Sequence, residues 1–194
     1  MSYRIYLVPL LVLLLSGLTG CGPTLILGGA TAASIVHDRR TAGTVIEDQS
    51  IELKAYEILQ QQKQAAGATH INVTSYNARV LLSGEVATEE LRLWAEQAVA
   101  RIEKVKHVYN ELRVSAPSSL ASRSNDGWIT TKVKSSMLQI GGLPGFDPSR
   151  VKVVTERSIV YLMGLLTVQE ADAVTATVRR VSGVQQVVKL FEYI

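Results

Sequence analysis

The chain carries one cysteine, Cys21, and it closes the run Leu18-Thr19-Gly20-Cys21. The chemistry that suits a lone thiol in this setting is acylation. Such a run looks like a lipobox, the signal at which bacterial export machinery cleaves before the cysteine and attaches lipid to it. On this reading residues 1–20 are a lipoprotein signal peptide. Cys21 becomes the mature N-terminus and carries a diacylglycerol and an N-acyl chain, with no other cofactor expected. One cysteine supports neither a disulfide framework nor a thiolate cluster. His37, His70 and His107 are far apart and show no metal-ligand spacing, so no metal site is expected. No nucleophile elbow, phosphate-binding loop or dinucleotide fingerprint is present. Glu89 and Glu90 stand at a helix start, where a structural role explains them. The sequence therefore offers no catalytic residue and no small-molecule substrate, and it reads as non-enzymatic.

The segment before Cys21 has the three parts of a secretory signal. Arg4 and the free amine begin it, Ile5 to Leu15 is apolar apart from Pro9, and Ser16 to Gly20 is small and turn-prone. About 11 apolar residues are too few to cross a hydrocarbon core of about 30 Å as a helix. In Gram-negative sorting an Asp after the cysteine favours inner-membrane retention. Here the residue is Gly22, which points to the outer membrane, lipid-anchored and facing the periplasm. Export also separates the chain from nucleic acid, and its net charge of +3 is mild.

Residues 21–44 read as a lipidated tether. Its apolar patch Leu25 to Leu27 is either the flexible start of the mature chain or a segment lying among the headgroups. From Asp48, a candidate N-cap, Ile51, Ala55, Ile58 and Leu59 recur at helical spacing. Ile71 and Val73, then Val80 and Leu82, alternate as half-buried strands do, with Tyr76-Asn77-Ala78 turn-like between them. Thr88 opens a second helix, with Leu91, Trp94, Ala95, Ala98 and Ile102 as its apolar stripe. Val105 to Val114 is a third strand. Ala116-Pro117-Ser118-Ser119 marks a linker, and the pattern then begins again.

The repeat is explicit. Ile71-Asn72-Val73-Thr74 and Val80-Leu81-Leu82-Ser83-Gly84 answer Val151-Lys152-Val153-Val154 and Val160-Tyr161-Leu162-Met163-Gly164, each 80 positions on. Val105 and Val108 answer Val184 and Val187 at 79, and Asp48-Gln49-Ser50-Ile51 answers Asp126-Gly127-Trp128-Ile129 at 78. Gly84 and Gly164 are read as strand ends where glycine allows close approach or positive φ. Thr167 and Glu170 form a capping-box pattern.

Two copies of α-β-β-α-β, each with a Val-x-Leu-x-Gly strand, resemble the BON domain family. A lipobox followed by two such units is similar to the dual-BON outer-membrane lipoproteins. Asp38-Arg39-Arg40-Thr41 and the run Asn125-Asp126-Gly127-Trp128-Ile129-Thr130-Thr131-Lys132-Val133 carry the resemblance further. Gly141-Gly142-Leu143-Pro144-Gly145 departs from it. The resemblance implies an α+β fold of two tandem BON domains, each a small mixed three-stranded sheet packed on two helices. The boundaries are 45–115 for the first, 116–123 for the linker and 124–194 for the second. It also implies no enzymatic activity, binding to anionic phospholipid and a role in envelope integrity.

The two units differ where function would lie. Residues 45–116 hold eight Lys/Arg and ten Asp/Glu, net −2, whereas residues 117–194 hold nine and six, net +3. An anionic membrane attracts each nearby cation by about 1 kcal/mol, so the second unit is the expected lipid contact. In its first helix Ile129, Val133, Met137 and Ile140 form the inward stripe. Trp128 is out of phase with them and shares a face with Lys132, Ser135 and Leu138, with Lys134 to the side. An indole, an aliphatic wedge and lysines suit a shallow interfacial contact. The bland alternative is that Trp128 folds back onto its own sheet or onto the first unit. The strands Ile159 to Met163 and Val187 to Phe191 are apolar on both faces, as doubly covered strands are. The cover is expected to be the first domain, in one rigid body. The alternative is a partner protein, such as an adaptor's contact in outer-membrane assembly or peptidoglycan maintenance.

Overall fold

The computed structural model describes residues 38–66 and 69–194, the side chains of residues 62–66 excepted. The lipobox, Cys21, the signal peptide and the tether as far as residue 37 lie outside the described residues. The first repeat runs α1 (Ala42–Ala66), β1 (His70–Tyr76), β2 (Arg79–Val86), α2 (Glu89–Ala100) and β3 (His107–Val114). The second runs α3 (Leu120–Met137), a 3-10 turn (Pro148–Arg150), β4 (Lys152–Glu156), β5 (Ile159–Leu166), α4 (Val168–Val178) and β6 (Gln186–Tyr193). Each sheet is mixed: β1 and β4 pair antiparallel with β2 and β5, which pair parallel with β3 and β6. This is the expected α+β architecture, twice.

Period-two alternation divides each sheet's residues between two cores. Val80, Leu82 and Leu112 face α1 and α2. Val160, Leu162 and Phe191 face α3 and α4. The opposite faces meet each other: Tyr76 and Leu81 of the first sheet pack with Ile159, Tyr161, Met163 and Leu190 of the second. The doubly apolar strands of the second repeat are therefore covered by the first domain. A partner-protein site on that face is excluded, because those side chains already fill the layer between the sheets.

Asp48 corrects the sequence reading. The helix starts earlier, at Ala42, where the Thr41 hydroxyl accepts from the Thr44 amide at 3.1 Å. Asp48 lies inside α1, buried, and accepts from the amides of Asn77 and Ala78 at 2.8 Å and from the Ser75 hydroxyl at 2.6 Å. Its repeat equivalent, Asp126, accepts from the amides of Arg157 and Ser158 at 2.9 and 2.8 Å. Both hairpin turns have positive φ at two non-glycine residues, 51° and 64° at Asn77 and Ala78, 51° and 63° at Arg157 and Ser158. Two-residue hairpins need that twist but prefer Asn-Gly to supply it. A buried carboxylate from the neighbouring helix holds the less suited residues there instead.

Gly84 is also placed differently from the expectation. It is not at a strand end but sixth of the eight residues of β2, at φ +113°. A Cβ there would lie 2.0 Å from the His70 carbonyl oxygen, so close approach is the reason for glycine. The segment 116–123 between the repeats contains the start of α3, which begins at Leu120 with Ser119 as its N-cap.

Candidate membrane-contact surface

The helix α3 positions the residues singled out in the second repeat. Ile129, Val133 and Met137 are buried to 1% exposure or less and fix the helix's rotation against the second sheet. Trp128 therefore projects outward, 68% exposed, and so does Leu138, at 74%. Trp128 does not fold back onto its sheet or onto the first domain. Leu120, one further turn pair toward the N-terminus, is 81% exposed and was not anticipated. Lys132, Lys134 and Ser135 are exposed on the same side of the molecule as the indole or at its flank. The Lys132 amine donates to the Ser182 carbonyl in the loop after α4, which holds its charge at the edge of this face.

Lys134, Ser135 and Leu138 also line an open groove of about 570 Å³ with Lys152, Tyr76 and Arg40. The groove brings the second domain's helix beside the residues where the chain enters the folded body. Arg40 bonds Asp38 and, at 2.7 Å, Asp48, and its guanidinium lies 3.8 Å over the Tyr76 ring. Burial works to raise the Asp38 carboxyl, but Arg40's hydrogen bonds outweigh it and hold the carboxyl below its ordinary value. Arg39 reaches the second domain. It makes a bidentate pair with Glu170 at 2.6 and 2.8 Å and donates to the Leu165 carbonyl at 2.8 Å. These bonds hold the Glu170 carboxyl below its usual range. Glu170 also closes the capping box with Thr167, as the sequence predicted. The sequence offered Asp38-Arg39-Arg40-Thr41 as part of the family resemblance, but not that it clasps the two domains, because Glu170 is 131 positions from Arg39.

Among the described residues, one group could hold a metal ion: His70, Glu85 and Glu156. The sequence gave no spacing cue for it, since its members come from different domains. No helix among the described residues is long and apolar enough to cross a membrane.

Residues 47–116 and 125–194 each match the model of the BON domain family. The chain is 39% identical over 177 residues to a protein of Haemophilus influenzae named outer membrane lipoprotein DolP, covering 91% of this chain and 90% of that one. It is 35% identical over 157 residues to a 21 kDa hemolysin of Actinobacillus pleuropneumoniae, covering 81% of this chain and 79% of that one.

Proposed function

Because this chain belongs to the BON family, with two domains in tandem, we propose that it is a non-enzymatic lipoprotein of the outer membrane's periplasmic face that binds anionic phospholipid through its second domain. Its role is then to support envelope integrity. The observation that carries the reading is the outward face of α3, where Trp128 and Leu138 stand exposed with Lys132 and Lys134 on either flank. The helix has already filled its inward stripe, so these apolar residues are not core. The indole and leucine would enter the headgroup boundary while each lysine adds about 1 kcal/mol of attraction to an anionic surface.

The anchor supports the same reading. The lipobox at Cys21 and the name of the Haemophilus relative, outer membrane lipoprotein, both support an outer-membrane location. Arg40, just beyond the tether, shares its groove with Lys134 and Leu138. The weak contact need not supply affinity, because tethering raises its effective concentration. It supplies selectivity for the patch of membrane on which the protein dwells.

Co-sedimentation of residues 38–194 with vesicles separates anionic from zwitterionic lipid without the acyl anchor. The expected result is binding to phosphatidylglycerol vesicles that Trp128→Glu abolishes with circular dichroism unchanged. Unchanged binding removes Trp128 from the site. The adaptor reading, in outer-membrane assembly or peptidoglycan maintenance, would have to use another surface. The exposed Ile46, Leu53 and Tyr56 of α1 offer one such surface.

A further inference from the structure

We propose that His70, Glu85 and Glu156 bind a divalent transition cation of the zinc type at the seam between the two domains. The three come from β1, β2 and the end of β4. Their ligating atoms all lie within 4.8 Å of one another. The His70 Nδ1 is 3.1 Å from Glu85 Oε2 and 3.9 Å from Glu156 Oε1. Zinc bonds of about 2.0–2.1 Å set tetrahedral ligand atoms about 3.3 Å apart. The nitrogen and the Glu85 oxygen already have about that spacing, and the Glu156 oxygen has to close by about 0.6 Å toward His70 and by up to about 1.5 Å toward Glu85.

The surroundings supply the carboxylate half of a second shell. Each carboxylate has its other oxygen held by a different donor. Asn72 Nδ2 donates to Glu156 Oε2 at 2.9 Å, and Arg157 reaches Glu85 Oε1 at 3.5 Å. Oε1 of Glu156 and Oε2 of Glu85 are left pointing at His70. For Nδ1 to ligate, the imidazole carries its proton on Nε2; the Asn72 amide nitrogen 3.4 Å away is itself a donor, so metal binding requires that contact to open and the Nε2 proton to turn to water in the adjoining cavity.

Charge favours occupation. Glu85 is fully buried and Glu156 is 7% exposed. Two carboxylates withdrawn from water at one point need compensation; the Arg157 guanidinium at 3.5 Å supplies part of it, and the remainder comes from His70 when protonated or from a cation in its place. Burial accordingly pushes the Glu156 carboxyl above its ordinary value. A divalent ion offsets both charges.

The donor set selects the ion. An imidazole nitrogen with two carboxylates suits zinc and its neighbours, whereas magnesium and calcium take oxygen ligands. Three protein ligands leave a position for water. An open cavity of about 210 Å³, lined by His70, Asn72 and Glu156 among others, gives that water room and the ion a path in. Bound there, the ion would join β1 and β2 of the first domain to β4 of the second.

The test uses the full-length protein in detergent, stripped with a chelator and titrated with zinc chloride by calorimetry, with a thermal melt at each end. The expected result is saturable uptake of one equivalent and a higher melting temperature. His70→Gln and Glu156→Gln, each folded by circular dichroism, should each weaken uptake at least tenfold. Absence of stoichiometric uptake by the unsubstituted chain overturns the proposal, and makes the triad a proton-linked ion pair. Uptake that either variant leaves unchanged also overturns it, since the zinc then sits elsewhere. Neither outcome depends on the lipid contact.

Discussion

Tyr161 lies in the layer between the sheets, 2% exposed, and belongs to the second domain. Burial, with Glu111 nearby, pushes its phenol up to about 12, a sign of how dry this layer is. Truncating a buried aromatic ring to alanine costs about 3–4 kcal/mol through lost burial and the cavity left behind. With a urea slope of about 2 kcal/mol per molar, Tyr161→Ala should lower the unfolding midpoint by roughly 1.5–2 M. The two tryptophans let the two domains be read separately. Trp94 packs against the first domain's core, and Trp128 is exposed on the second. In a Trp128→Phe background, fluorescence reports the first domain while circular dichroism reports both. If the sheet-to-sheet layer makes one cooperative body, the Trp94 midpoint falls together with the dichroism midpoint, although the substitution is in the other domain. A Trp94 transition that stays in place while only part of the dichroism shifts would refute the coupling. The layer would then be a contact between independently stable domains.

The Arg39–Glu170 clasp should be pH-dependent. Arg39→Ala is expected to cost about 1–3 kcal/mol at neutral pH. Glu170 is held below its ordinary carboxyl value of 4.5, so this stability is present above that value and lost as pH falls through the lowered one. The gap between the two proteins in urea melts should therefore narrow at acid pH, and an equal gap at pH 7 and pH 3 would count against it. Asp126→Ala removes two charge-assisted bonds to the turn, at a cost of about 3 kcal/mol. Hydrogen exchange at the Arg157 and Ser158 amides should speed up, and continued protection would mean the turn holds itself. Gly84→Ala should cost about 3 kcal/mol or more, since its Cβ meets a backbone oxygen and its φ is positive. Gly164→Ala should cost less, because its Cβ lies 3.0 Å from the Arg150 carbonyl oxygen. Thermal melts that rank the pair the other way would refute the close-approach reading.

The sequence alone determined the features that depend on neighbours along the chain. Alternation in Val80-Leu81-Leu82 and Val160-Tyr161-Leu162 located the strands. The helical spacing of Ile129, Val133 and Met137 set the inward stripe of α3 and put Trp128 out of phase with it, while the exposure of the indole was decided by the tertiary structure. The repeat fixed two copies of one fold. Apolar residues on both faces of β5 showed that its open face had to be covered. Each of these is a periodicity, and a periodicity survives in one dimension. The tertiary structure decided where partners are distant. Asp48 read locally as a helix cap, yet it serves a turn 29 and 30 positions on. Arg39 read only as part of a run that carries the family resemblance, yet its partner is in the second domain. His70, Glu85 and Glu156 have no spacing that a sequence motif could hold, because two sheets from two repeats bring them together. Buried charges and polar hooks choose partners by distance in space, and only the packing of one sheet on the other creates those distances.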